Sequence, residues 1–596
     1  MRQFFKMFFA SMLAIVVTSV VLILAVIGII VGATKSISEA PTTVIQDNSI
    51  LVININRSIQ ERSESNSLAA LSDGNAFIPG LYDMNQAIAY AKNDKQIKGI
   101  LLKVEGSPNG WATLQQLRTA LADFKTSKKF IYAYAEGITQ KSYYIANIAD
   151  KVFLNPAGSF EFKGLASQIP FFKGTLDMLQ VQPEIFYAGK FKSATEPFRE
   201  QKMSEPNKLQ IRAYQQGLWA NFIASISEKT GTDTASIHQW AATGAIYFPQ
   251  DALQKKLVDG LLYWDEVEQI MKTKLGKAEK DKLNYQNINE YSATVKLKKR
   301  IVENKIAVLF AEGNIVDGEG TEERQIASET LMQEIRKIKK NDKVKAVVIR
   351  INSGGGSALA SEVILRELQL LKEKKPVIIS MGDVAASGGY YIACQADSIF
   401  ALPTTLTGSI GVFTMLFNTS ELMKNKLGIT FDEVKNAPYA DFPSGTRPIT
   451  PFEVMKMQAG VDTIYSLFKR RVATARKISV DAVDSIAQGR VWTGVDALNV
   501  GLVDALGDLD RAILSASRKA KINDYQVVTY PEPVDEFAAL LKRFKSSGAS
   551  ATMVKAFMEK GFQDQYQMAK QIKYNIGVNG KAQMMMPFQP VFSLEK

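Results

Sequence analysis

The chain has 596 residues, 46% of them hydrophobic and 22% charged, a globular composition that excludes a disordered chain and predicts two or more domains. Its single cysteine, Cys394, excludes an intrachain disulfide and a cysteine-built zinc site. The net charge of +12 comes from Lys and Arg interspersed with Asp and Glu, so lipid headgroups rather than nucleic acid are the expected anionic neighbour.

Residues 8–33 read FFASMLAIVVTSVVLILAVIGIIVGA, 26 residues without a charge. That exceeds the apolar core of a cleavable signal and is long enough to cross a bilayer as a helix, so residues 1–35 are expected to be a cytoplasmic stub and an uncleaved anchor. Arg2 and Lys6 precede the span and belong on the cytoplasmic side. The rest of the chain is then expected across the membrane, on the periplasmic side of a single-pass bacterial inner-membrane protein.

Beyond the anchor the chain repeats itself. YYIANIADKVFLNP (143–156) answers YYIACQADSIFALP (390–403) at an offset of 247, and the offset holds upstream between ILLKV and VVIRI. Downstream, ATGAIYFPQDALQKKLVDGL faces AQGRVWTGVDALNVGLVDAL with the offset drifted only to 245. Two related domains follow, 50–270 and 305–530, joined by a Lys-rich polar connection at 273–304. In the second, AVVIRI, PVIISM and SIFAL read as strands and ALASEVILRELQLL as a helix, a βαβαβ order that favours a parallel sheet. The tail, 533–596, reads as helical and carries a Met-rich stretch, 584–592, to which the sequence assigns no role.

The scaffold explains where the halves agree; a site is sought where they differ. The second half has INSGGGSA (351–358) where the first has VEGSPNGW. No GK[ST] follows, which excludes a phosphate loop, and the run reads either as a flexible turn or as an oxyanion hole with Gly355 and Gly356 as donors. In LTGSIGV, Ser409 stands opposite Phe162, a hydroxyl where the other half has a ring. The only histidine, His238, sits in a helical-looking polar stretch, so a Ser-His-Asp triad is not expected. Cys394 reads as a small packed side chain. A base for Ser409 must then be a lysine or a carboxylate. Lys192, in GKFKSATEPF, stands opposite Tyr439. It could serve only if burial or neighbouring positive charge lowers it from the ordinary lysine value of about 10.4.

These motifs together, INSGGGSALASE, GDVAASGGYYIA, LTGSIGV and GKFKSATEPF behind an N-terminal anchor and in tandem duplication, resemble the long, Gram-negative form of the signal peptide peptidase A family, also called protease IV. The resemblance implies two tandem ClpP/crotonase-like α/β domains and a Ser/Lys dyad serine protease. It implies Ser409 as nucleophile, Lys192 as base, no cofactor or metal, a homotetramer on the membrane, and cleaved signal peptides as substrates. The family commonly has proline where this chain has Gly354. Two alternatives stay open: a crotonase-like acyl-CoA enzyme and a catalytically silent membrane scaffold.

Overall fold

The run AVVIRI lies in the strand Val344–Ser353, and its side chains alternate between two cores. Val347, Ile349 and Ile351 join one, while Ala346 and Val348 join another beneath the helix Leu509–Lys519. Burial on both faces is what a parallel sheet covered by helices requires, and each such aliphatic side chain contributes about 1.5–3 kcal/mol. The computed structural model describes residues 45–65, 77–297, 302–320, 324–531 and 582–586, together with Thr18. The expected anchor, 8–33, lies outside them, and among the described residues no helix is long and apolar enough to cross a membrane.

The repeat is visible as two mixed α/β halves built on like sheets. In the first, the strands run Gly260–Leu261, Lys151–Phe160, Phe130–Ile138, Ile97–Lys103, Ser49–Asn54, Asn284–Asn287, all parallel. In the second, Val377–Ala386, Val344–Ser353, Lys305–Glu312 and Gln526–Tyr530 repeat the central order, again parallel.

A third sheet was not legible from the repeat. Its order is Gln325–Ala327, Asn314–Val316, Gly355–Ser357, Gln583–Met585, Val412–Asn418, Gln182–Ala188. It joins the halves, because Val412–Asn418 of the second pairs antiparallel with Gln182–Ala188 of the first. It also corrects the reading of the tail: the segment Gln583–Met585 is a strand, not part of a helix. Pairing partners on both sides decide its conformation, and the helical periodicity around it gives no hint of them. The remainder of the tail, 532–581 and 587–596, lies outside the described residues.

Two polar contacts lock the halves face to face. The fully buried Arg350 donates from Nε to Glu61 at 2.9 Å and from a terminal nitrogen to Gln116 at 3.1 Å, both in the first half. Its other terminal nitrogen donates to Ser380 Oγ and Met381 O, each at 2.9 Å. The helix Trp111–Lys125 has Gly110 at its N-cap and no side-chain cap of its own. Asp383 of the second half supplies one, accepting from Ala112 N at 2.8 Å, Thr113 N at 2.9 Å and Thr113 Oγ1 at 2.5 Å. A Cβ on Gly110 would lie 2.1 Å from Asp383 Cγ, so only glycine lets the carboxylate reach the helix end.

These contacts predict a stability signature. Arg350→Ala leaves Glu61 buried without its cation and should cost about 3–5 kcal/mol in urea unfolding. Asp383→Ala, which removes a cap, should cost about 0.5–2 kcal/mol. Equal midpoints for Arg350→Ala and the native chain would contradict the assignment.

Candidate active site

Lys192 is carried into the second half by a turn that leaves the strand Gln182–Ala188. The turn bends at Gly189, φ 104°, and Lys192 N donates back to Gly189 O at 3.0 Å. Phe191 N donates to Gln488 O of the second half at 2.8 Å. Gln210 holds the same turn from the helix Glu205–Thr230, donating to Phe191 O at 3.0 Å and to Ser193 Oγ at 2.9 Å. From the other side Gly489, φ 76°, packs so closely that a Cβ there would stand 2.7–2.8 Å from Lys192 N, Cα and Cβ.

The Lys192 amine is buried, with 1% of the residue exposed, and it meets two serines. Nζ lies 2.8 Å from Ser387 Oγ, 3.0 Å from Ser409 Oγ and 3.3 Å from Ser409 O. Burial alone holds its pKa well below the ordinary lysine value, because the charged form would have to leave water. Of the two causes open to the sequence, desolvation is the one at work; Lys190 is exposed and lies over the Phe191 ring. The expected pair, Ser409 and Lys192, is thus within hydrogen-bond reach across 217 residues of chain.

Ser387 is the residue the sequence reading passed over. It sits at the tip between the strand Val377–Ala386 and the helix Gly388–Ala393, with φ 55° and ψ −114°. A non-glycine residue in that region costs about 1–3 kcal/mol and persists only where its surroundings hold it. Ser387 N donates to Gly408 O at 2.8 Å, tying this tip to the Ser409 turn. The residue at the same place in the first half is Gln140, and there the structural use is plain. Its side chain accepts from Lys163 N and Gly164 N and donates to Gly164 O, bracing the turn that carries Phe162. Phe162 itself packs among Trp219, Phe222 and Trp240. One half fills the two positions with an amide and a ring; the other fills them with hydroxyls around an amine. The comparison that singled out Ser409, applied to SGGYYIA against QKSYYIA, would have found Ser387.

The glycine run lies against the Ser387 tip. A Cβ on Gly355 would come 2.7 Å from Gly388 N, and one on Gly388 would come 3.2 Å from Gly355 Cα. Gly355, φ 101°, donates its N–H to Ser353 Oγ at 3.1 Å. Gly356 is opposite Met584 in the sheet. A Cβ at Gly354 would meet only Met586, at 3.7 Å or more. The remaining candidates stand aside. His238 is exposed on the helix Thr234–Thr243 and accepts from Trp219 Nε1 at 2.9 Å. Cys394 is buried, its thiol pushed up to about 12 by desolvation and therefore inert.

Chains of known kind resemble this one closely. The model of peptidase family S49 matches residues 123–278 and 369–523, once in each half. Protease 4 of Salmonella typhi is 37% identical over 461 residues, 76% of this chain and 74% of that protein. The chloroplastic serine protease SPPA of Arabidopsis thaliana is 33% identical over 494 residues, 82% of this chain and 72% of that protein. Among solved structures, a ClpP1 mutant from Listeria monocytogenes aligns with 35% of this chain and 94% of its own length, at 15% identity and a TM-score of 0.23, which carries no weight for the fold.

The packing of Gly489 on Lys192 yields a prediction. Gly489→Ala should push the lysine backbone aside, and a displacement near 1 Å can cost about 10²-fold in rate. Hydrolysis of a peptide ester should fall on that scale, and the unfolding midpoint should fall with it, because alanine at φ 76° is strained; unchanged turnover in the folded variant would contradict the geometry.

Proposed function

The chain belongs to peptidase family S49 and is a serine protease, and we propose that its chemistry runs on Lys192 with two serines, Ser387 as nucleophile and Ser409 as the group that holds the lysine. Membership of a protease family sets aside the acyl-CoA enzyme and the silent scaffold. The observation that carries the reading is the desolvated amine within 2.8–3.0 Å of both hydroxyls. A neutral amine accepts a proton, and no imidazole is near.

Ser409 was singled out by the repeat and implied as nucleophile by the resemblance; we give that role to Ser387, on the following geometry. Ser409 meets Nζ with both its hydroxyl and its carbonyl oxygen, as a positioning group does. Its own N–H goes to Arg490 O at 2.6 Å, and its turn packs on Gly489 and Ala188, away from the glycine run. Both serines have a positive φ, 55° at Ser387 and 51° at Ser409, but Ser387 is the one on a strand-to-helix tip directly against that run, the arrangement that lifts a nucleophile towards a substrate. In the proposed cycle Lys192 takes the Ser387 proton as Oγ attacks the peptide carbonyl, then delivers it to the leaving amine. Water, deprotonated by the same lysine, releases the acyl group. Gly355 and Gly356 remain the proposed oxyanion donors; in this structure the Gly355 amide is engaged by Ser353 and Gly356 is paired with Ile315 and Met584 in the sheet.

Three further parts of the proposal rest on sequence. Residues 8–33 would anchor the protein in the bacterial inner membrane with both halves on the periplasmic side. The substrates would be cleaved signal peptides and similar apolar segments, and the working form a homotetramer on the membrane.

Substitution and labelling assign the roles. Ser387→Ala and Lys192→Ala should each lower kcat on a peptide ester by about 10⁴-fold or more, whereas Ser409→Ala should cost roughly tenfold, the scale of one lost hydrogen bond. A serine-directed acylating inhibitor should leave its adduct on Ser387. An adduct on Ser409, with Ser387→Ala still active, would restore the first assignment. In the native enzyme kcat/KM should rise with pH, because only the neutral amine acts as base. The midpoint should lie below about 10.4, since burial lowers the Lys192 pKa. A rising limb centred at or above that value would contradict a desolvated base.

A further inference from the structure

The helices Glu205–Thr230 and Pro451–Arg476 are counterparts in the two halves, each of 26 residues behind a hydroxyl N-cap, Ser204 in one and Thr450 in the other. Aligned from their first residues, they place Gln210 opposite Lys456. Lys456 is exposed and lies over the Phe452 ring, as a surface lysine does. Gln210 is wholly buried. Burying an amide costs free energy unless both of its ends find partners, so the partners show what the residue is for.

A glutamine side chain donates from its nitrogen and accepts at its oxygen. The nitrogen of Gln210 reaches Phe191 O at 3.0 Å and Ser193 Oγ at 2.9 Å, on either side of Lys192, with Asn207 Oδ1 at 3.2 Å. The oxygen accepts from Val491 N of the second half at 3.3 Å. Val491 stands opposite Gly408 in the antiparallel pair of Leu406–Gly408 with Val491–Thr493. Gly408 O accepts from Ser387 N at 2.8 Å, and Gly408 directly precedes Ser409. One side chain thus ties the turn that carries the amine to the strand pair against which both serines are held. Behind it the network continues: Ser193 Oγ donates to Asn207 Oδ1 at 2.9 Å, and Asn207 Nδ2 donates to the buried Glu196 at 2.8 Å. Ser204 Oγ donates to the same carboxylate at 2.5 Å. A buried network with its members satisfied is rigid, and this one ends at the base.

We propose that Gln210 is a positioning residue for the base: its amide sets where Lys192 Nζ stands between Ser387 and Ser409. The proposal rests on the protease reading of the same site, with Lys192 as base. The hydrogen bonds of Gln210 go to Phe191, Ser193, Asn207 and Val491 and to none of the reacting groups, so its effect passes through the Lys192 turn. A base works within about 2.6–3.2 Å of the group it deprotonates, and Nζ, at 2.8 and 3.0 Å from the two hydroxyls, has little room to move. A loosened turn also admits water to the amine, which returns its pKa towards the ordinary value of about 10.4.

Two variants of the full-length chain test the role, each checked for folding by its urea midpoint. Gln210→Met keeps the length and removes every hydrogen bond; Gln210→Asn keeps an amide one methylene too short to serve both sides. On a peptide ester, kcat should fall about 10²-fold in Gln210→Met and about tenfold in Gln210→Asn, with KM within about twofold of native. In both, the rising limb of kcat/KM should move to higher pH. A folded variant with native kcat, or one whose kcat falls while the limb stays in place, would overturn the proposal, because lost stability alone does not retitrate the base. If the native chain itself leaves the ester intact, it is the protease reading that fails, and the Lys192 Nζ resonance decides the positioning role separately. It should titrate at higher pH in Gln210→Met than in the native chain; an unmoved titration would overturn the proposal.

Discussion

Everything at the candidate site depends on keeping one amine out of water. A lysine in solvent is protonated at neutral pH and useless as a base, so a protein that lacks a histidine near its nucleophile must desolvate the lysine instead. Here that takes both halves of the chain. The first supplies Lys192 on a turn; the second supplies the two hydroxyls that satisfy its hydrogen bonds and the Gly489 surface that closes over its backbone. Neither half alone encloses the amine. The Arg350 network and the Asp383 cap also join the two halves whose surfaces meet at Nζ.

Duplication explains how such a site arose without new architecture. Both halves keep the contact between a strand-to-helix tip and the turn following the next strand. In the first, Gln140 braces the Phe162 turn through backbone hydrogen bonds, a purely structural solution. In the second, Ser387 and Ser409 face each other across the lysine. The backbones of Ser387 and Ser409, with φ 55° and 51°, both lie in the left-handed region that non-glycine residues seldom occupy.

The parallel strands were legible because fully buried strands read as continuous apolar runs, and the two halves because the offset of 247 is nearly constant. Lys192 and Ser409 were legible for the same reason: each departs from its counterpart in the other half. Ser387 departs too, from Gln140, but SGG before a helix looks like an ordinary turn until the coordinates place its hydroxyl on the amine. The third sheet was not legible. Four of its strands contribute only three residues each, one of them on glycines, and its pairing joins Val412–Asn418 to the distant Gln182–Ala188. The segment Gln583–Met585 has no alternation to mark a strand; its conformation is set by the two edges it bridges.

The central claim is that Lys192 is neutral where ordinary lysines are charged. Isotope-edited NMR of lysine Nζ and Cε, with Lys192→Arg used to assign the resonance, measures this directly in the full chain. The account predicts one lysine that titrates well below the others and remains neutral across the pH range in which the enzyme works. A Lys192 resonance that titrates with the exposed lysines, near about 10.4, would contradict it.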